Sequence, residues 1–268
     1  MPNRIVITGA SSGIGRALAL EYAASGIALA LIGRDKDRLD EVAERAKAKG
    51  ATVATAMLDV RDSEAMSAFL LAFDDEAPVD CVIASAGVTS VTRKGDQPEE
   101  DFLRSKDVFD VNLGGVVNAI APLAPLMRRR RSGQIALVSS IAAFAPLPDQ
   151  AVYSASKAAL VALALAIRPL YQRDGVSVSA VCPGYVDTPM VASFTGLRPG
   201  QMSAEQAARR IRQGLDRRKA IIAFPLTLYF GARLQQMLPA ALRERVMLAF
   251  QAKQKPERSS RTQATERP

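Results

Sequence analysis

The stretch Arg4-Ile5-Val6-Ile7-Thr8-Gly9-Ala10-Ser11-Ser12-Gly13-Ile14-Gly15-Arg16-Ala17-Leu18-Ala19-Leu20 decides the fold. A short β-branched and aliphatic run gives way to a glycine-rich turn, and the turn leads directly into an Ala/Leu pattern of helical period. Strand, turn and helix N-terminus in that order make a cradle for a pyrophosphate. Glycine lets the backbone approach the anion, and the first turn of a helix presents unpaired N–H groups to it. The candidate cofactor contacts here are Gly9, Ser11, Ser12, Gly13, Ile14 and Gly15. A glycine cluster by itself serves a tight turn equally well; the flanking strand and helix favour the nucleotide reading. The spacing is Gly-x-x-x-Gly-x-Gly and not the more usual Gly-x-Gly-x-x-Gly.

Outward from this unit the alternation continues. Strands are expected at Arg4–Thr8, Ala28–Ile32, Thr52–Leu58, Cys81–Ala84, Gln134–Val138, Ser177–Val181 and Ala220–Ala223. Helical patterns fall between them at Gly13–Ala24, Lys36–Lys49, Ser63–Asp74, Val108–Met127, Ser154–Arg173 and Ala204–Arg217. Strands alternating with helices of this length imply βαβ units. The expected fold is therefore α/β: a doubly wound Rossmann fold of about seven parallel strands, with helices on both faces. No internal repeat or Gly/Ser linker divides the chain, so residues 1–251 read as a single domain. Within it, residues 189–218 read as a substrate lid and 224–250 as an amphipathic C-terminal segment; 252–268 read as a polar, disordered tail.

Composition narrows the chemistry. The 268 residues are 49% apolar, with nine Phe, five Tyr and no Trp. There is no histidine, which rules out a Ser-His-Asp triad, a His-liganded zinc and a His general base. Cys81 and Cys182 lie far apart in apolar runs and read as core residues. No metal site is expected. The net charge of +8 sits in separated clusters, notably Arg128–Arg131 and Arg217-Arg218-Lys219, without interleaved aromatics. They read as solvated helix ends rather than a nucleic-acid footprint. The first strand begins at Arg4, leaving no room for a secretory signal before it, and the longest apolar run, Ala158–Ile167, falls short of the roughly 18 residues of a membrane span. A cytoplasmic location is the expectation.

Two further sites bear on a cofactor. The second strand ends Leu31-Ile32-Gly33-Arg34. In dinucleotide folds an acid at this strand end holds the adenosine ribose, whereas an arginine accommodates a 2′-phosphate. With Gly33 in the acidic position and Arg34 next to it, the reading favours NADP(H) over NAD(H). Ser11 can add a hydroxyl contact to the same phosphate. Asp59, after the third strand, sits where a carboxylate can accept from an adenine amino group.

Later come Ser140, Tyr153 and Lys157. Tyr153 and Lys157 lie one helical turn apart on one face. A phenol near pKa 10 is a poor base at neutral pH, and an adjacent ammonium favours the phenolate. Such a phenol can give a proton to a developing alkoxide and remove one in reverse. Ser140, ending a strand, offers a hydroxyl to a carbonyl oxygen.

Together these motifs resemble the short-chain dehydrogenase/reductase family in its compact single-domain form. The likeness spans roughly residues 4 to 224 and includes, in order, the glycine-rich turn, Asp59-Val60, Ser85-Ala86-Gly87, Val111-Asn112, Ser140, Tyr153 with Lys157, and Pro183-Gly184. The resemblance implies an oxidoreductase with Tyr153 as acid/base, Ser140 orienting the carbonyl, and Lys157 lowering the Tyr153 pKa and binding the nicotinamide ribose. It implies that Asn112 bends its helix and holds a water linking Lys157 to solvent. Val60 would flank the adenine with Asp59, and Ala86 and Gly87 would line the ribose side. Pro183 and Gly184 would contact the nicotinamide, with Val186 and Thr188 near its carboxamide or the phosphates. Ser85 stands where the family has asparagine, which weakens a structural contact of the cofactor loop.

For substrate, the lid residues Met190, Val191, Phe194, Leu197 and Met202, with Ile141, Phe144, Leu147 and Tyr185, suggest a hydrophobic ketone or secondary alcohol. The apolar segment 224–250 loosely resembles lipid-directed, 3-ketosphinganine reductase-like bacterial members of the family. It reads either as a helix docked on the core or as a peripheral membrane contact helped by Arg233, Arg243, Arg245 and Lys253. The helix at Ser154–Arg173 is apolar nearly all round, which calls for a partner subunit and hence a homodimer or homotetramer. Beside a carbonyl reductase, the alternatives are a non-catalytic NADP(H) sensor and a membrane-surface interaction protein on the same fold.

Overall fold

The computed structural model describes residues 2–89, 102, 105–192 and 198–249. Seven parallel strands form the central sheet: β1 (Arg4–Thr8), β2 (Ala28–Gly33), β3 (Thr52–Met57), β4 (Cys81–Ala84), β5 (Gly133–Val138), β6 (Val176–Pro183) and β9 (Ile221–Phe224). Their order is β3-β2-β1-β4-β5-β6-β9. β7 (Val186–Asp187) and β8 (Met202–Ser203) pair separately beside it, with the short α8 (Pro189–Ala192) following β7. The chain runs outward from β1 to β3 and then crosses back to β4 on the other side of β1. The crevice at the strands' C-terminal ends, where that order reverses, is where ligands bind in such sheets. This is the doubly wound Rossmann architecture expected from the alternating pattern.

The central strands are apolar on both faces because helices cover both, and the core divides into two layers accordingly. One layer holds Val6, Val82, Ile135 and Val178 under the helices α3 (Ser63–Glu76) and α7 (Ala151–Arg173). The other holds Ile5, Ile7, Leu29 and Ile83 under α1 (Gly13–Tyr22), α2 (Lys36–Lys47) and α9 (Ala204–Asp216). Starts are set by capping: Asp35 and Asp62 accept from Arg38 N and Ala65 N at 3.1 and 3.0 Å. Ser203 and Gln206 form the reciprocal capping box that opens α9.

Three expectations need correction. The single helix anticipated at Val108–Met127 is α4 (Ser105–Phe109), a π-helical turn (Asp110–Gly114), α5 (Gly115–Ile120) and α6 (Ala124–Arg130). Pro122 lies in the break before α6, where it can donate no backbone N–H. The helix carrying Tyr153 begins at Ala151, earlier than the expected Ser154, and so contains Tyr153 in its first turn. The arginine run is not merely solvated. Arg130 binds the buried Asp74 carboxylate through two bonds of 2.7 and 2.9 Å, and Arg128 pairs with Asp174 at 2.6 Å.

The stretches Ser105–Arg130 and Pro148–Arg173 are long and apolar enough by composition to cross a bilayer. Both pack on the sheet, and about half of each apolar window is buried there (50% and 44%). After β9 the chain continues as α10 (Leu226–Gln235) and α11 (Ala240–Ala249). Phe194, Leu197 and the tail 252–268 lie outside the described residues.

Candidate active site

The glycine-rich turn is built so tightly that side chains are excluded. A Cβ on Gly15 would lie 2.3 Å from the Gly9 carbonyl oxygen. Gly9 adopts φ +68, and its Cβ would meet Ala86 Cα at 2.8 Å. The turn is tied to the loop after β4 by Thr8, whose hydroxyl accepts from both Ser85 N and Ala86 N at 3.1 Å. Ser85 thus enters the site through its backbone.

A cavity of about 280 Å³ runs from this turn across the ends of β2 and β3. It brings together Gly9, Ser11, Ser12, Gly33, Arg34, Asp59, Val60, Ala86 and Gly87. Gly13 lines an adjoining recess with Ser11, Ser12 and Asp187, and Thr188 packs 3.2 Å from where a Gly13 Cβ would stand. Several of the expected contacts line neither space, Gly15, Thr188 and Lys157 among them. Ile14 packs on the core, Val186 is buried in the β7–β8 pair, and Pro183 is buried at the end of β6 with its carbonyl accepting from Ser140 Oγ at 3.5 Å.

These surfaces fit a dinucleotide. Gly33 packs closely on Ser11, whose Oγ stands 3.0 Å from its would-be Cβ, and puts no carboxylate at the end of β2. Arg34 is exposed there, 3.9 Å from Asp59. Arg38, one turn further along, lines the same cavity and was not anticipated. Its place in the first turn of the helix that follows Gly33-Arg34 was the available signal. Asp59 is more occupied than its sequence role requires. Arg61 binds both its oxygens at 2.8–3.1 Å and holds its carboxyl below the usual range, with a smaller contribution from Arg34.

The chemical end lies where β5, β6 and α7 meet. Asn112 is fully buried in the π-helical turn. Its Oδ1 accepts from Val88 N at 2.8 Å, while Nδ2 donates to Val88 O and to Ser156 Oγ, both at 2.9 Å. Ser156 in turn donates to the Tyr153 carbonyl at 2.7 Å, fastening the first turn of α7 to the loop after β4. Ser139 Oγ donates to the Lys157 carbonyl at 2.6 Å. Ser139 and Ser156 are supporting residues that sequence reasoning overlooked, because a buried serine leaves no periodic signature.

Lys157 Nζ donates to Val138 O at 2.9 Å and lies 3.2 Å from the position of a Gly87 Cβ, so the ammonium faces the cofactor loop. Burial lowers its pKa to about 8. Tyr153 departs from expectation. Burial raises its pKa, and the Ser140 hydroxyl hydrogen-bonded to it offsets this only in part. The ammonium stands 5.7 Å from the ring centre and is engaged by Val138, so it does not overcome desolvation of the phenolate.

Ser140 and Tyr153 open onto a second cavity of about 390 Å³. Its walls are Ile141, Leu147, Tyr185, Met190 and Val191, closed by Leu228, Leu234 and Leu238 from the C-terminal segment. Gly184 lines it as well. Two anticipated wall residues fall elsewhere. Phe144 is buried behind the wall in an edge-on contact with Tyr229, and Met202 pairs with Val186. α10 is therefore part of the site, held to the core by that ring contact and by Gln236 Nε2 donating to Phe144 O at 2.9 Å.

Comparison with known proteins agrees with this geometry. Residues 3–196 match the family described as short chain dehydrogenase, and the chain belongs to it. It is 34% identical over 238 residues to an uncharacterized oxidoreductase of Myxococcus xanthus, covering 88% of this chain and 93% of that one. A short-chain dehydrogenase from Sphingobium yanoikuyae in complex with NADPH superposes with a TM-score of 0.76 at 27% identity, over 95% of this chain and 99% of that one. One from Mycobacterium paratuberculosis bound to NAD gives 0.71 at 25% identity, over 82% and 94%. The chain is thus an oxidoreductase of this family with a nicotinamide dinucleotide site.

Proposed function

We propose that this protein is an NADP(H)-dependent carbonyl reductase, or alcohol dehydrogenase in reverse, acting on hydrophobic ketones and secondary alcohols. The observation that carries the reading is the apolar cavity that ends on the Ser140 and Tyr153 hydroxyls. A nicotinamide bound along the cradle supplies the hydride for reduction or accepts it in oxidation.

Ser140 and Tyr153 hold the carbonyl oxygen from the protein side. Tyr153 gives its hydroxyl proton to that oxygen as the alcohol forms, and takes one back in oxidation. The raised phenol pKa keeps Tyr153 protonated at neutral pH, which suits the reducing direction. Lys157, facing Gly87, is placed to bind the cofactor ribose, and its charge restrains the phenolate once the proton has left. Asn112 holds the loop after β4 against α7 through Val88 and Ser156. Arg34 and Arg38, with no acid at Gly33, favour the 2′-phosphate. In this reading the enzyme works from the cytoplasm as a homo-oligomer.

The test is NADPH consumption by purified protein across aliphatic, aromatic, steroidal and long-chain keto compounds, with Tyr153→Phe as control. Turnover rising with substrate hydrophobicity and falling by about 10²–10⁴-fold in the variant is expected. Tight NADPH binding without turnover on any ketone would point instead to a dinucleotide sensor.

A further inference from the structure

Helix α10 has two apolar faces with different fates. One, carrying Leu228, Ala232 and Gln235, lines the cavity. On the other, Leu226, Phe230, Leu234 and Met237 are 57%, 63%, 63% and 82% exposed. Their spacing stacks them in one stripe along the helix. α11 continues the exposure: every residue from Ala240 to Arg245 is exposed, Leu242 among them. A short helix whose residues Ala240 to Arg245 are all exposed is marginal in water, and a contiguous apolar stripe of the kind on α10 marks a contact surface.

The charges around the stripe choose the occupant. Arg233, Arg243 and Arg245 flank it against one acid, Glu244, and the sequence beyond adds Lys253, Lys255, Arg258, Arg261 and Arg267 against Glu257 and Glu266. A second copy docking through the same face would set these cations against one another. A lipid surface rich in anionic headgroups satisfies both the apolar stripe and the cations. We propose that α10 and α11 dock this protein on anionic membrane surfaces, with Phe230 and Met237 entering the headgroup boundary.

Leu234 belongs to both surfaces, since it lines the cavity and is exposed in the stripe. The membrane face therefore adjoins the cavity rim, and a hydrophobic ketone dissolved in the bilayer would reach the site without crossing water. That consequence rests on the reductase reading; the docking does not, and its test needs no turnover.

The test is co-sedimentation of the full chain with vesicles of phosphatidylcholine alone or with about one-third phosphatidylglycerol. Binding at least about tenfold stronger to the anionic vesicles, weakened by salt, is expected. Phe230→Glu with Met237→Glu should remove about tenfold or more of that binding. Arg243→Glu with Arg245→Glu should remove the preference for anionic lipid. NADPH titration of each variant shows that it is folded. Equal or no binding to the two vesicle types overturns the proposal. So does a Phe230/Met237 variant that binds vesicles normally but has a lower mass in solution by light scattering, because a second copy would then be the occupant.

Discussion

Lys157 is 4% exposed, and burial lowers its pKa from 10.5 to about 8. Between those values the unfolded chain binds more protons at this site than the folded one, so stability rises with pH across that window. Below about pH 8 the buried ammonium costs about 3 kcal/mol, since each tenfold change in the proton equilibrium is worth roughly 1.4 kcal/mol. Lys157→Met removes that cost and loses the bond to Val138, worth about 1–2 kcal/mol. The variant should be more stable at pH 7 by about 1–2 kcal/mol, and inactive, with the gain shrinking as pH rises from 8 towards 10. Tyr153 and Cys182, the titratable groups nearest, are both pushed upward by burial, Cys182 to about 12, and stay neutral through this window. Denaturant unfolding of both proteins at pH 7 and pH 10 measures the gap; a constant gap would show that another group carries the pH dependence. Arg34 makes a prediction of its own. Arg34→Ala should weaken NADPH binding by about tenfold or more, the worth of one charge-assisted phosphate contact, and NADH binding hardly at all. Equal losses on the two titrations would remove the basis for an NADP preference.

Among the elements, the junction of α5 with the end of β3 links packing to cofactor binding. A Cβ on Gly115 would stand 2.4 Å from Val60 Cγ2, and Val60 lines the nucleotide cavity. Gly115→Ala should cost about 1–3 kcal/mol through overpacking and weaken dinucleotide binding by displacing Val60 into the cavity. Adding Val60→Ala should restore much of both, read by thermal unfolding and NADPH titration; no recovery would mean the strain lies elsewhere. Elements of this sheet were readable because strands buried on both faces are written as continuous aliphatic runs, and the turn after β1 announces itself by glycines no side chain could replace. Helix limits were less readable. Nothing before Ala151 caps α7 through a side chain, so its start left no sequence mark, while Pro169 lies inside the same helix without ending it. The site was legible where its residues are neighbours in sequence, as Tyr153 and Lys157 are. It was illegible where packing assembles it: the wall contributed by α10, the Asn112–Ser156 bond across 44 residues, and the Arg130–Asp74 pair across 56.

For the whole molecule the question is which surfaces remain to be covered. α7 buries Leu160, Val161 and Ala164 against the sheet, yet Leu165 and Leu170 on its outer side are 41% and 55% exposed. Phe109 and Val117, on the neighbouring α4 and α5, are exposed as well. Unlike the stripe on α10, the α7 patch has no cationic run after it in sequence; its apolar side chains suit a second copy meeting it through the same surface. Leu165→Glu with Leu170→Glu should therefore convert a dimer or tetramer into a smaller species by light scattering. NADPH binding should persist, because neither residue lines a nucleotide cavity. Vesicle binding should also persist per chain, though with lower apparent strength if the oligomer normally presents two or more membrane faces at once. An unchanged mass would place the subunit contact elsewhere. A loss of both mass and vesicle binding would mean that α7 and the C-terminal helices form one continuous surface, and that the membrane face exists only in the assembled oligomer.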